Sequence, residues 1–263
     1  MMIKQKLLMK RIEDLEVISL TWLNNENYLL ECCAATKLPE VLPGNFAEIR
    51  VDHTPEVFLR RPFSIYDVDF ERNSLSFYIK VIGKGTRILG NLKPGDIINI
   101  IYPLGNSFKL VSRKNVLVIG GGSGIAPFLL LGKKLRQENT NITFLIGGRA
   151  EKDILLTDAL AEYGDIQITT EDGSLGEKGM VTGHSIIKNG LGAFDKIYTC
   201  GPDPMMKAVA NIAKKNSIDC EASLENMMAC GFGACLCCVV ETTTGNLCVC
   251  TEGPVFNILD LAW

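Results

Sequence analysis

The chain has 263 residues, 47% of them hydrophobic, which is enough to bury a sizeable core in one to three domains. Its 27 Lys and Arg against 30 Asp and Glu leave a formal net charge of −3. That charge gives no electrostatic footing for nucleic acid or an anionic membrane surface, so small molecules and other proteins remain as partners. Met1–Lys10, "MMIKQKLLMK", is too broken by lysines for a secretory leader, and no later run is long enough to span a bilayer. The chain is therefore expected in the cytoplasm, where thiols stay reduced, and its ten cysteines point to metal or redox chemistry rather than to disulfides.

Up to about residue 112 the sequence is a series of short alternating or apolar runs, "VISLTW", "YLLECCA", "NFAEIRV", "SLSFYIKVI" and "DIINIIYPL", punctuated by "LPGNFA" and "KPGD". This is the pattern of an antiparallel sheet or small barrel. Within it, "RRPFSIYDV" places Arg61 and Ser64 at a strand end, and "YIKVIGKGTRIL" follows after one more strand. A guanidinium there suits a pyrophosphate, and the "GKGT" turn offers backbone N–H groups at a helix start. Taken alone, these read more readily as a surface arginine and an ordinary turn.

From Asn115 the pattern changes. "NVLVIGGGSGIAPFLLLGKKLRQ" reads as a buried strand, a glycine turn and an amphipathic helix. "NITFLIGGR", "DIQITTED" and "FDKIYTCGPDPMMKAVANIAKKN" continue the alternation expected of a doubly wound parallel sheet. Gly120–Pro127, "GGGSGIAP", has the glycines that let a pyrophosphate approach a helix N-terminus, although it is not the G-x-G-x-x-G fingerprint in frame, and a tight structural turn would also explain it. "TCGPDPMM" repeats the arrangement, with Cys200 at a strand's carboxyl end, the edge where ligands bind. The mixed charges of "TTEDGSLGEKG" and "GGRAEKD" favour NAD over NADP, while Arg149 stands where a phosphate clamp would sit. His53 and His184 are isolated in sequence and read as structural; no His–carboxylate pair marks an acid–base site.

The segment after Asp219 is rich in cysteine. Cys230, Cys235 and Cys238 stand as C-x4-C-x2-C, the plant-type spacing for a [2Fe–2S] cluster, and "GFGA" lets the backbone curl and aim N–H groups at sulfides. Cys250 is the expected fourth ligand, returned by a hairpin over "VVETTTGNLCV", with Cys248 its competitor on the same strand face; Cys237 faces away from Cys238 if the segment is extended. A zinc site is the alternative, disfavoured by the C-x4-C spacing and the absence of a nearby histidine. Cys32, Cys33 and Cys220 read as small buried hydrophobes. The apolar "GPVFNILDLAW" at the end either covers this chain's own core or meets a partner.

The ordered set "RPFS", "GKGT", "GGGSGIAP" and "CGPDPMM" resembles the ferredoxin–NADP reductase superfamily over nearly the whole chain. With "ENMMACGFGACLCCVV" and "CVCTEGPVF", it resembles the family of electron-transfer subunits of B-type dihydroorotate dehydrogenases. The resemblance implies an FAD-binding antiparallel β-barrel (1–112), a doubly wound α/β domain for NAD (113–218) and a small [2Fe–2S] domain (219–263). It implies that Arg61, Pro62, Phe63 and Ser64 meet the FAD, completed by Tyr78, Ile79, Lys80, Gly85 and Thr86. Phe63 stands where the superfamily often has Tyr. Gly120, Gly121, Gly122, Ser123 and Gly124, with Cys200, Gly201 and Pro202, would bind the nicotinamide nucleotide. A separate FMN-containing catalytic subunit is implied, in a heterotetramer of two of each, which oxidises dihydroorotate in pyrimidine (UMP) synthesis. Electrons would run from its FMN to the cluster, then FAD, then diffusible NAD⁺. The chain has no length left for a TIM barrel, so dihydroorotate itself binds elsewhere. The alternatives are a flavin and iron–sulfur subunit serving a hydrogenase or ferredoxin:NADP transhydrogenation, some of which carry aspartate at a cluster position where this chain keeps cysteine, and a non-enzymatic metal module.

Overall fold

A computed structural model describes residues 10–52 and 54–263; the readings made on 1–9 and on His53 lie outside them. The first sheet is built from β1 (Arg11–Trp22), β2 (Asn27–Ala34), β3 (Phe46–Ile49), β4 (Arg61–Ser64), β5 (Asp67–Asp69), β6 (Ser74–Lys80) and β7 (Ile97–Leu104), with α1 (Lys84–Leu89) between the last two. All its pairings are antiparallel, in the order β4-β3-β7-β1-β2-β6-β5. Strand alternation does the sorting. In β2 the side chains of Tyr28, Leu30, Cys32 and Ala34 are buried inward, while Cys33 faces the other way and is half-buried. Tyr28, Phe77 and Tyr102 are fully buried in this core, and a fully buried side chain of this size contributes about 2–3 kcal/mol of transfer free energy.

The second sheet takes the buried runs in parallel: β8 (Asn115–Gly121), β9 (Asn141–Gly148), β10 (Asp165–Thr170), β11 (Glu177–Lys178), β12 (Lys196–Cys200) and β13 (Asp219–Ser223), closed by the antiparallel edge strand β16 (Val255–Asn257). Its order is β11-β10-β9-β8-β12-β13-β16, with α2 (Phe128–Gln137), α3 (Thr157–Ala161), α4 (Ser185–Asn189) and α5 (Asp203–Lys215) as crossovers and flanking turns. The boundary expected at 218/219 thus falls inside this sheet. "DCEAS" is too short to announce a strand by periodicity, and it is set by pairing with β12. Between β13 and β16 lie the cysteine loop and the hairpin β14 (Val239–Thr242) and β15 (Gly245–Cys248), which sequence anticipated. Phe256, Ile258 and Leu261 are buried against Leu104 and the α5 face, and Val255 lies in the cluster of Phe108 and Tyr198, so the apolar C-terminal stretch covers this chain's own core.

Barrel and α/β sheet share a packed seam. The Tyr198 hydroxyl donates to the Lys109 carbonyl at 2.8 Å, the rings of Phe108 and Tyr198 meet edge-on at 5.5 Å, and Lys133 Nζ reaches Asp67 at 2.6 Å. Among the described residues, no helix is long and apolar enough to cross a membrane.

Candidate functional site

The carboxyl ends of β8, β9 and β10 and the turn after β12 open onto one cleft of about 380 Å³. Parallel strands deliver their loops to the same edge, which is why three sequence motifs far apart converge there. Gly121 and Gly122 come from the end of β8 and the turn after it, Gly147, Gly148 and Arg149 from the end of β9 and the residue after it, and Pro202 and Met205 from the turn into α5 and its first turn. Gly124 does not line the cleft but makes it possible. A Cβ on Gly124 would stand 2.4 Å from the Cys200 carbonyl oxygen and 2.5 Å from Gly201 Cα, so only glycine lets the two loops nest. Cys200 is buried beneath this contact, its thiol pushed above its ordinary range by burial and then by Glu225. Met180 and Thr182 also line the cleft. No motif marked them; the glycine-flanked "GEKGMVTG" was the available signal.

His184 stands at the start of α4. Its Nδ1 accepts the Ile186 N–H at 3.1 Å at the start of α4, and Nε2 lies 3.4 Å from Glu177, a carboxylate that sequence reasoning had not paired with it.

Arg149 Nε lies 3.6 Å from Asp153 within the cleft wall, and Glu171 lines the same wall. The cation that would clamp a 2′-phosphate is therefore already faced by one carboxylate and flanked by another. NADH is expected to outperform NADPH, and Glu171→Gln is expected to narrow the ratio of kcat/KM values about tenfold, or ~1.4 kcal/mol. Steady-state kinetics with both nucleotides checks this, and equal or better turnover of NADPH by the unaltered protein rejects it.

Lys80, at the end of β6, lines the cleft from the barrel side. It connects the cleft to the "RPFS" strand region. β4 is that tetrapeptide, Arg61–Ser64, and it is an edge strand with all four residues half-buried; the side chains of Arg61 and Ser64 remain available to a ligand, whereas Phe63 packs against the barrel core. A Cβ on Gly85 would stand 3.1 Å from Arg61 Nε, which puts the guanidinium at the first turn of α1. The Thr86 hydroxyl accepts the N–H groups of Ile82 and Gly83 and donates to the Gly83 carbonyl. It shapes the turn and leaves backbone N–H groups as the donors. Tyr78 donates its hydroxyl to Asn27 Oδ1 at 3.0 Å and is pushed up to about 12 by burial, then by Asp153. Ile79 points into the barrel core, so it has only backbone to offer a ligand. A guanidinium, the outward N–H and hydroxyl of Ser64, and a helix start in one place fit the diphosphate and ring of FAD.

In the cysteine loop the thiols stand in pairs. Burial works against ionising Cys230, but N–H groups of Phe232, Cys235 and Ala234 and the Cys235 thiol outweigh it and bring its pKa to about 6. Cys238 and Cys250 are buried together, the Cys250 N–H donating to Cys238 Sγ at 3.4 Å, and burial followed by Cys238 pushes Cys250 up to about 12. Among the described residues no three His, Cys, Asp or Glu side chains gather for a single metal ion. Two thiol pairs fit two irons, each needing two thiolates beside the bridging sulfides.

Turns, not strand alternation, set which cysteines face the cluster site. Cys237 is exposed and Cys238 buried, but through a turn with Leu236 at φ +54° rather than through strand alternation. β15 ends at Cys248, whose carbonyl accepts the N–H groups of Thr251 and Glu252 at 3.1 and 2.9 Å, so Cys248 and Cys250 share no strand face. Both nonetheless lie beside Cys238.

Glu48 of β3 lies under the loop. Burial lifts its pKa to about 7, with Arg60 pulling down, Cys230 adding to the rise and Arg61 pulling down.

Comparison with known proteins agrees with this geometry. Residues 225–262 match the iron-sulfur cluster binding domain of dihydroorotate dehydrogenase B, and residues 118–211 match the oxidoreductase NAD-binding domain. The electron transfer subunit of dihydroorotate dehydrogenase B (NAD(+)) from Caldanaerobacter subterraneus subsp. tengcongensis is 39% identical over 218 residues, 81% of this chain and 84% of that one. The subunit of the same name from Desulforamulus reducens is 34% identical over 263 residues, 97% of this chain and 100% of its own. Among solved structures, an NADH-dependent reduced ferredoxin-NADP oxidoreductase superposes with a TM-score of 0.86 at 28% identity, covering 95% of this chain and 90% of that one. With a ferredoxin reductase-like barrel, a nucleotide cleft and a cysteine loop in one chain, and relatives of this identity along its length, the chain belongs to the family of dihydroorotate dehydrogenase B (NAD(+)) electron transfer subunits.

Proposed function

We propose that the chain passes electrons between NAD⁺ and the FMN of a separate dihydroorotate-oxidising subunit, in a cytoplasmic heterotetramer of two copies of each, and so serves UMP synthesis. In this reading residues 1–112 hold FAD, 113–218 with β13 hold NAD, and the rest of 219–263 holds the [2Fe–2S] cluster. FAD exchanges two electrons with a nicotinamide and single electrons with an iron–sulfur cluster, which is the conversion needed between a hydride carrier and a one-electron centre.

The chain's own residues supply the positions. Arg61 and the first turn of α1 neutralise the pyrophosphate, the outward N–H and hydroxyl of Ser64 in β4 orient the ring, and the glycine loops of β8 and β12 admit the nucleotide. Cys230, Cys235, Cys238 and Cys250 hold the irons. The observation that carries the reading is the contact of the cysteine loop with the barrel. Gly231, next to Cys230, lies against Glu48, and Glu48 stands opposite Pro62 of β4 in the sheet register. The assigned cluster and flavin sites are therefore one strand apart. Met227, Phe232 and Leu236 around the loop are 86%, 52% and 66% exposed, an apolar rim suited to a partner.

Reconstitution with an FMN-containing dihydroorotate-oxidising subunit tests this. NAD⁺ reduction by dihydroorotate is expected only when both subunits are present, and its absence from the assembled pair overturns the proposal. The high structural similarity to a ferredoxin-NADP oxidoreductase makes ferredoxin the competing partner, and ferredoxin-dependent reduction of NAD(P)⁺ without any second subunit would favour that alternative.

For the fourth ligand, Cys250→Ser is expected to lose at least half of the bound iron, whereas Cys248→Ser keeps a full complement. Iron per chain and visible absorbance check this. The opposite pattern transfers the role to Cys248.

A further inference from the structure

β3 is buried on both faces. Ala47 and Ile49 point into the barrel core, whereas Phe46 points outward into the cluster of side chains shared with Cys238 and Cys250. By strand alternation Glu48 points outward with Phe46. It is 0% exposed, and neither carboxyl oxygen has a hydrogen-bond partner. The neighbouring cations are engaged with carbonyl groups. Arg60 Nη1 donates to the Glu48 main-chain carbonyl at 3.3 Å and to the Asn99 carbonyl at 3.0 Å, and Arg61 Nη1 donates to the carbonyls of Leu59 and Arg60. What covers the carboxyl is the start of the cysteine loop. Gly231 has φ +73°, and a Cβ there would stand 2.8 Å from Glu48 Cγ and 3.4 Å from its Oε1.

Leaving a buried carboxyl unpaired is destabilising, because the group loses its hydration and gains no partner. A methionine of similar reach would fill the volume without that penalty. A buried polar group without a partner calls for an explanation, and groups that orient the ligands of a metal site are one. We propose that Glu48 is a positioning residue for the iron–sulfur cluster: its carboxyl hydrogen-bonds the Cys230–Gly231 turn when the thiolates are ligated, and thereby holds Cys230 in place relative to β4. This rests on the assignment of Cys230 as a ligand and of β4 as the flavin strand. The consequence is that the barrel, and not only the C-terminal segment, sets the stability and electronic environment of the cluster.

The test uses the full chain loaded with FAD and iron, comparing the unaltered protein with Glu48→Met and Glu48→Gln. Three quantities are read: the rate of iron loss to a chelator, the electron paramagnetic resonance g-values of the reduced cluster, and FAD content. Glu48→Met is expected to lose iron about tenfold faster, with displaced g-values and normal FAD, while its iron-free form melts no lower than the unaltered iron-free protein. Glu48→Gln, which still hydrogen-bonds, is expected to restore slow iron loss. Iron retention and g-values in Glu48→Met equal to those of the unaltered protein overturn the proposal and leave the cluster assignment standing. An unaltered chain that takes up no iron overturns both. If Glu48→Met is recovered without FAD, the Glu48 carboxyl stretch decides the matter, identified by its loss in Glu48→Gln. That band is expected to shift when iron is loaded into the unaltered protein, and an unshifted band overturns the proposal.

Discussion

Cys235→Ser is expected to reduce dihydroorotate-linked NAD⁺ reduction to background in the assembled complex, while NADH still bleaches the bound flavin at its normal rate. The two halves of this outcome follow from where the residues lie. Cys235 belongs to the exposed half of the cysteine loop and helps hold Cys230 as thiolate, whereas the nucleotide cleft is lined by β8, β9, β10 and the start of α5 and contains no residue of that loop. Removing one thiolate deprives an iron of a ligand without disturbing a single cleft contact. Stopped-flow flavin bleaching by NADH, iron content and steady-state NADH formation from dihydroorotate are the three measurements. Size-exclusion chromatography confirms assembly. Full NAD⁺ reduction in a cluster-free, assembled, FAD-containing variant would make the loop a structural element only.

Gly124→Ala is expected to destabilise the α/β sheet and to block NADH oxidation together. The added Cβ would meet the Cys200 carbonyl at 2.4 Å and Gly201 Cα at 2.5 Å. Both obstacles are backbone, held by the parallel pairing of β12 with β8 and β13, so no side-chain rotation relieves the clash. Overpacking of this kind costs about 1–3 kcal/mol, equivalent to a fall of very roughly 2–12 °C in the melting transition of a domain this size. Displacing the turn after β12 also moves Pro202 and Met205, which line the cleft, so turnover is expected to fall with stability. Gly192→Ala provides the control, because nothing stands within 4 Å of its Cβ position. Calorimetry and NADH oxidation by an artificial acceptor check both. An unchanged melting temperature in Gly124→Ala would mean that the loops are not nested as described.

Several site elements were legible because their signal is local. "RPFS" became the edge strand β4 residue for residue, "NVLVIGG" became β8, and the hairpin before Cys250 formed where its turn residues predicted. Other elements had no local signal. Met180 and Thr182 reach the cleft only because β11 pairs with β10, and β13 is a strand because β12 and β16 flank it. The alternation argument for Cys248 and Cys250 failed because the chain turns at the end of β15, which period-two reasoning cannot detect.

By itself, the sequence determined the two-part architecture, the cysteine spacing and the order of the glycine loops, since these depend on residue type and period over a few neighbours. Only the tertiary structure decided that Glu171 lines the same cleft as Arg149, that Cys238 has two thiol neighbours, and that the cysteine loop rests on a barrel strand. The physical reason is distance along the chain. A buried carboxyl at position 48 reads in sequence as an ordinary acidic residue of a strand, and it becomes exceptional only when Gly231 folds back over it and excludes water.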